Sequence, residues 1–217
     1  PGDSLHSALQ YERLHPARAG RQPHAVFVSG GGTDLQSVID AIEANQINGK
    51  IVLVISNRKN AYGLERAKKA GIETAVVKKD DELIVKMLKE REVDLVVLAG
   101  YLAILSDVLI DAYPNKIINI HPSLIPSFCG PGYYGMHVHE AVLKRGVKVT
   151  GATVHFVSSE VDGGPIILQE ACNIDDLDNP EDIQARVLEI EHRILPKAVA
   201  LYCNGKIVVE NERAKVK

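Results

Sequence analysis

The sequence predicts an α/β domain on a doubly wound, mostly parallel sheet, with an antiparallel strand pair toward its C-terminal part. Three observations lead there. Short runs such as 25–28, 51–55 and 95–99 are wholly apolar, as expected where both faces of a parallel strand are covered. Amphipathic segments alternate with these runs in strict turn, the order that feeds right-handed crossovers. After Gly146 the pattern changes to a two-residue alternation, the signature of a strand in a different setting.

Taken in order, residues 25–28 read as the first strand. Leu35, Val38, Ile39 and Ile42 then recur at helical spacing and mark the first helix. Residues 51–55 form the second strand, and a short helix around 64–70 is closed by Gly71. Residues 75–77 are a third strand, 80–92 a helix carrying Leu83, Ile84, Met87 and Leu88, and 95–99 and 117–120 two further buried strands. Residues 147–157 place Val149, Gly151, Thr153, His155 and Val157 on one side and Thr150, Ala152, Val154 and Phe156 on the other. The run 165–172 is its expected antiparallel partner at the sheet edge. A long helix follows, with Asn179 as N-cap, Pro180 at its first position and Glu181 and Asp182 facing the positive end of its dipole. It is expected to run to about Tyr202, with Pro196 kinking it or ending it early.

The chain has 217 residues, 46% of them hydrophobic and 24% charged, which suits one domain over 25–210. Residues 1–24 are polar, carry Arg13, Arg18 and Arg21, lack the apolar stretch of a secretory signal, and read as an extension or tag. A formal charge of -3, with 5% aromatics and no Trp, supplies neither a basic footprint nor a stacking platform for nucleic acid or an anionic membrane. No apolar run approaches the ~18 residues of a membrane span. Cys129, Cys172 and Cys203 stand far apart, outside any disulfide or thiolate zinc pattern. Small-molecule partners, a cytoplasmic setting and a monomer or homodimer are the expectation.

Two features carry chemistry. The first strand runs into Ser29-Gly30-Gly31-Gly32-Thr33-Asp34, and a helix follows. This is a candidate phosphate cradle, in which backbone N–H groups and a helix N-terminus approach an anion. It lacks the Gly-Lys-Ser/Thr ending of a triphosphate loop, has Leu35 where a dinucleotide fingerprint needs glycine, and has no acidic residue closing the second strand. A monophosphate fits what remains. The Asp34 carboxylate must then turn away, cap a backbone N–H, or meet an amine or hydroxyl of the ligand. The second feature is Asn119 and His121, two apart on one strand and so on one face, with Pro122 ending that strand. Carboxamide and imidazole together can grip a carbonyl oxygen and move a proton. An isolated pair of this kind more often only satisfies local hydrogen bonds; Asp162, in the turn Val161-Asp162-Gly163-Gly164-Pro165, is the acid that would orient it.

The segments Ser29-Gly30-Gly31-Gly32-Thr33, Leu98-Ala99-Gly100-Tyr101-Leu102-Ala103-Ile104-Leu105-Ser106, Asn119-Ile120-His121-Pro122-Ser123-Leu124-Ile125-Pro126 and Gly151-Ala152-Thr153-Val154-His155-Phe156-Val157, leading to Asp162-Gly163-Gly164-Pro165-Ile166-Ile167, together resemble the phosphoribosylglycinamide formyltransferase family. The resemblance spans 25–209 in the family's order. It implies a Rossmann-like formyltransferase fold, 10-formyltetrahydrofolate as co-substrate with no metal, and glycinamide ribonucleotide as the amine acceptor in de novo purine biosynthesis. The family's catalytic trio falls on Asn119, His121 and Asp162. Its acceptor site falls on Gly32, Thr33 and Asp34 and on Leu188, Glu189, Ile190 and Glu191. Its folate cleft falls on Leu102, Ala103, Ile104 and Leu105, on Asn119, and on Ser158, Ser159, Glu160, Val161 and Asp162.

The chain departs from the family in four places. Thr33-Asp34 stands where many members have Ser-Asn, and Ala103 where a folate-contacting Arg often sits. The region near Asp80 is shorter and has no Arg, and the loop 127–134 is longer than in the shortest members. The implied mechanism runs through a tetrahedral oxyanion: the Asn119 amide and a protonated His121 donate to it, each typically worth ~3 kcal/mol. Asp162 stabilises the imidazolium while the ring carries a proton from amine to folate nitrogen. Ser123 and Cys129 have no base placed to make either a nucleophile. His137 and His139 form an H-x-H pair without a carboxylate cluster and read as surface or loop histidines; His155 and His192 read as structural or supporting. The rival is a 10-formyltetrahydrofolate hydrolase using the same trio with water as acceptor, against which the phosphate loop speaks. A methionyl-tRNA formyltransferase would need a basic surface.

Overall fold

The computed structural model describes residues 21–217, so the reading of 1–24 as an extension lies outside it for residues 1–20. In chain order the elements are β1 (Gln22–Val28), α1 (Thr33–Glu43), β2 (Gly49–Ser56), α2 (Tyr62–Lys69), β3 (Thr74–Val76), α3 (Asp81–Glu90), β4 (Leu95–Leu98), α4 (Asp107–Ala112), β5 (Ile117–His121), α5 (Met136–Arg145), β6 (Val149–Phe156), β7 (Ile166–Asn173), α6 (Pro180–Cys203), β8 (Ile207–Glu210) and β9 (Arg213–Val216). Seven strands form one sheet in the order β3-β2-β1-β4-β5-β6-β7. The first five are parallel neighbours, β6 runs antiparallel to both β5 and β7, and β8 and β9 form a separate antiparallel pair.

The pleat sends alternate side chains to two cores. On β1, Val26 and Val28 join the cluster formed with α1, α2, α5 and α6, while Ala25 and Phe27 join the cluster formed with α3 and α4. Both faces of the central strands are therefore covered, which explains their uninterrupted apolar runs. Gly151 holds the mixed edge together: a Cβ there would collide with the Glu170 carbonyl of β7.

Several boundaries differ from the sequence reading. β1 begins at Gln22, three residues early, and β9 extends past the expected end at 210. The β8–β9 hairpin was not anticipated; Asn211 and Glu212, at φ 50° and 60°, make its turn, and Glu212 is not a residue that advertises one. α4 is six residues long, too short for a periodic signal. Pro196 does not end α6, which is 24 residues long and runs on to Cys203. Ile194, Leu195, Ala198 and Val199 are all buried around it, and burying four such side chains outweighs the ~3 kcal/mol disfavour of an internal proline.

One buried group makes the fold sensitive to acid. His24 on β1 is fully buried, its Nε2 has no hydrogen-bond partner, and burial lowers its pKa to about 4. The unfolded chain therefore takes up a proton between pH ~6.5 and ~4 that the native state refuses. This contribution is intact above the unfolded value and is lost as pH falls, on the order of 3 kcal/mol in all. Urea unfolding of the native protein and His24→Gln at neutral and acidic pH is expected to show a smaller acid loss in the variant; equal losses would exonerate His24.

Candidate active site

β1 is flanked by β2 on one side and β4 on the other, so the chain winds away in both directions and a crevice opens at the C-terminal strand ends. The glycine segment follows β1 there. Gly32 lies at φ 74°, and a Cβ on it would sit 2.6 Å from Gly63 Cα; no other residue fits. At Gly30 and Gly31 an added Cβ would meet nothing within 4 Å, so that side of the loop is open. The Gly30 carbonyl accepts from the Gly63 N–H (3.0 Å) and the Gly31 carbonyl from Arg66 Nε (2.7 Å). No side chain caps α1, whose first N–H groups are left for an anion. Thr33 is exposed at the rim.

Asp34 takes the first of the courses open to it and turns inward. Its side chain is buried beside Glu191 of α6, with His192 Nε2 3.5 Å from Oδ1. Burial raises both carboxyl groups above the usual range, Glu191 well above it. Leu188 is half-buried, Glu189 faces solvent and Ile190 sits in the core. A cavity of about 840 Å³ continues from Thr33 and His192 between α1 and α6.

Asn119, His121 and Asp162 converge at the end of β5. Antiparallel pairing sets Asn119 opposite His155 and His121 opposite Thr153. Asn119 Nδ2 lies 3.1 Å from His155 Nε2, and His155 Nδ1 lies 2.8 Å from the Phe156 carbonyl. The carbonyl can only accept, so Nδ1 carries the hydrogen and Nε2 accepts from Asn119. Burial lowers the His155 pKa and keeps the ring neutral, as this arrangement requires. Asn119 Nδ2 then retains a second hydrogen for a ligand oxygen. His155, read from sequence as a supporting residue, is thus what aims the carboxamide. Nothing in the sequence alone pairs 119 with 155; only the strand register does.

His121 Nε2 donates to the Phe128 carbonyl (2.8 Å), and its Nδ1 faces Asp162 Oδ2 at 3.7 Å. Asp162 sits at φ 54°, a left-handed conformation that costs ~1 kcal/mol for a non-glycine residue. It is held there by the Gly130 N–H, which donates to Oδ2 (2.9 Å); His155 Nε2 lies 3.8 Å from Oδ1. A Cβ on Gly164 would strike the Phe156 carbonyl, so the turn after Asp162 cannot be built otherwise. The 127–134 loop, noted from sequence only for its length, supplies both the Phe128 carbonyl and the Gly130 N–H. Ser123 fastens that loop by donating to the Ser127 carbonyl (2.6 Å).

The segments assigned to folate flank this centre. Leu102 N–H donates to Ser29 Oγ (2.9 Å), and Ser29 Oγ donates to Asn57 Oδ1 (2.6 Å), tying 102–105 to the glycine loop. Leu102 and Ile104 are exposed, Ile104 at 85%, while Ala103 and Leu105 are half-buried. Asp81, beside the shortened region, accepts from Ser106 N–H (2.7 Å) and steadies the far end of the segment. Ser158 and Glu160 bond to each other, and Ser159 and Val161 are exposed. Glu160, Val161 and Asp162 line a cavity of about 520 Å³ with Cys129 and Gly130.

The H-x-H pair divides. His137 is exposed beside Glu140, but His139 is buried, which corrects its reading as a surface residue. Helix α5 turns it inward, and burial, reinforced by the nearby His121, lowers its pKa to about 4. Among the described residues no three His, Cys, Asp or Glu side chains are grouped to hold a metal ion, and no helix is long and apolar enough to cross a membrane.

The family model for formyl transferase matches residues 23–199. The chain is 38% identical over 197 residues to the Escherichia coli phosphoribosylglycinamide formyltransferase, covering 87% of this chain and 91% of that one. The crystal structure of glycinamide ribonucleotide transformylase 1 from Symbiobacterium toebii superposes with a TM-score of 0.86 at 40% identity, over 92% of this chain and 95% of that one. A formyltetrahydrofolate deformylase from Pseudomonas syringae superposes with a TM-score of 0.82 at 25% identity, over 91% of this chain but 66% of the other.

The tautomer assigned to His155 is directly observable. Nitrogen-15 NMR is expected to show a neutral Nδ1–H ring that stays neutral at pH values where a free imidazole, near pKa 6.5, is half protonated. An Nε2–H tautomer, or protonation near that value, would remove His155 as the group that aims Asn119.

Proposed function

The chain belongs to the formyl transferase family, and from that premise we propose that it transfers a formyl group from 10-formyltetrahydrofolate to the amine of glycinamide ribonucleotide, a step of purine biosynthesis. One observation carries this reading. Asn119 and His121 on β5, with Asp162 beside them, and the uncapped glycine-loop helix after β1 stand on either side of β4, whose following segment is hydrogen-bonded to the glycine loop through Leu102 and Ser29. A hydrolase with water as acceptor has no use for an anion cradle beside its acid–base centre. Relatives carrying the formyltransferase name are also closer in sequence, at 38% and 40% identity, than the deformylase at 25%.

The chemistry follows from the geometry. The amine nitrogen attacks the formyl carbon, and the free Asn119 Nδ2 hydrogen stabilises the oxyanion that forms. His121 donates through Nε2 to Phe128, so Nδ1 is the ring nitrogen with a lone pair and is the one to take the amine's proton. Asp162, 3.7 Å away, stabilises the imidazolium. As the bond between carbon and folate nitrogen breaks, the same proton passes to that nitrogen, leaving tetrahydrofolate and the formylated amine with the ring neutral again. Gly32, Thr33, Asp34 and Glu191 form the acceptor end, and 102–105 with 158–162 the donor end. The enzyme acts on small molecules in the cytoplasm, as a monomer or homodimer, without a nucleic-acid or membrane partner.

Incubation with 10-formyltetrahydrofolate is expected to release tetrahydrofolate only when glycinamide ribonucleotide is supplied; release without the amine would favour the hydrolase. Asp162→Asn keeps the hydrogen bond from Gly130 but removes the charge facing His121. Turnover should fall by roughly 100-fold or more with donor affinity changed only modestly, and near-normal turnover would take Asp162 out of the mechanism.

A further inference from the structure

Asp34 and Glu191 are 7% and 5% exposed, sit on the facing helices α1 and α6, and lie close enough that each shifts the ionisation of the other. Two carboxyl groups buried side by side keep a proton between them, because ionising both would set two unsolvated like charges together. Asp34 Oδ1 is buried and receives no hydrogen bond from any N–H or hydroxyl of the described residues. The basic side chains around it do not resolve this. His192 of α6 approaches Oδ1 only to 3.5 Å, and its buried Nε2 has no partner either. Arg66 of α2 is engaged with the Gly31 carbonyl and Gln36. Asp34 lies in the first turn of the helix whose N–H groups form the anion cradle.

We propose that acceptor binding to this enzyme is proton-linked through Asp34: the Asp34–Glu191 pair keeps one shared proton when the phosphate-bearing acceptor occupies the glycine loop, and losing that proton expels the acceptor. With the proton present, the pair carries a single negative charge and stays hydrogen-bonded. Without it, two carboxylates face each other in a buried space at the start of α1. They repel one another and cancel the helix N-terminal charge that attracts the phosphate. The residue that creates this dependence is Asp34, since an asparagine in its place would donate to Glu191 with no proton to lose. The inference rests on the formyl-transfer reading, with glycinamide ribonucleotide as acceptor.

The test is the pH dependence of acceptor KM, kcat and donor KM in the native enzyme and Asp34→Asn. The acceptor's own phosphate and amine titrate alike in both, so the native-to-variant ratio isolates the pair. That ratio for acceptor KM is expected to rise about tenfold per pH unit above the pair's titration, while the ratios for kcat and donor KM stay flat. His192→Gln should keep the native profile, and its loss there would reassign the linkage to His192. Calorimetry of glycinamide ribonucleotide binding without folate, in two buffers of different ionisation enthalpy, should show proton uptake by the native enzyme beyond that of Asp34→Asn. If Asp34→Asn does not fold, Glu191→Gln serves in its place, and the native enzyme's buffer dependence stands alone: no proton uptake overturns the proposal. Parallel KM profiles with transfer to glycinamide ribonucleotide intact overturn the proton linkage only; folate release without that amine overturns the formyl-transfer reading itself.

Discussion

The antiparallel pairing of β5 with β6 is the constraint on which the site depends. Its register places His155 opposite Asn119 and Thr153 opposite His121. A shift of one residue would turn both β6 side chains to the other face. The consequences run in series: the Phe156 carbonyl fixes the His155 ring, the ring fixes the Asn119 amide, and the turn that follows β6 brings Asp162 between two imidazoles. Gly151 and Gly164, where any side chain would strike backbone carbonyls, keep that strand and that turn in place.

Charge is distributed so that opposite ends of the crevice perform different tasks. At the trio, a partly exposed carboxylate faces His121, and burial keeps His155 and His139 neutral around it. At the glycine loop, backbone N–H groups and the α1 terminus supply diffuse positive character, and the acidic side chain that could cancel it is turned away from the open side.

The parallel half of the fold was legible because its strands are buried on both faces and its helices are long enough to repeat. Elements too short or too oddly turned for such signals, α4 and the β8–β9 hairpin, were not. The extent of α6 agrees with the end expected near Tyr202, and the early end weighed for Pro196 does not occur because the core on either side outweighs local propensity. At the site, Asn119, His121, Asp162 and the glycine loop announced themselves by residue type and spacing. His155, the Phe128 carbonyl and the Gly130 N–H did not: the first depends on strand register, and the other two are backbone groups that every residue possesses. The inward turn of Asp34 was one of three courses the sequence left open, and Glu191, distant in sequence and adjacent in space, decided it.

Ser29 has a further implication. Its single hydroxyl accepts from the Leu102 N–H and donates to Asn57, joining the loops that follow β1, β2 and β4 at one oxygen atom. The two substrate-facing segments are for this reason not interchangeable modules. A donor-side loop transplanted from a relative would carry its own backbone spacing to an oxygen whose position is set by two other loops. Diversification on one side of the crevice is thus mechanically coupled to the other, and successful changes in what the site accepts should arrive as matched sets across the three strand ends.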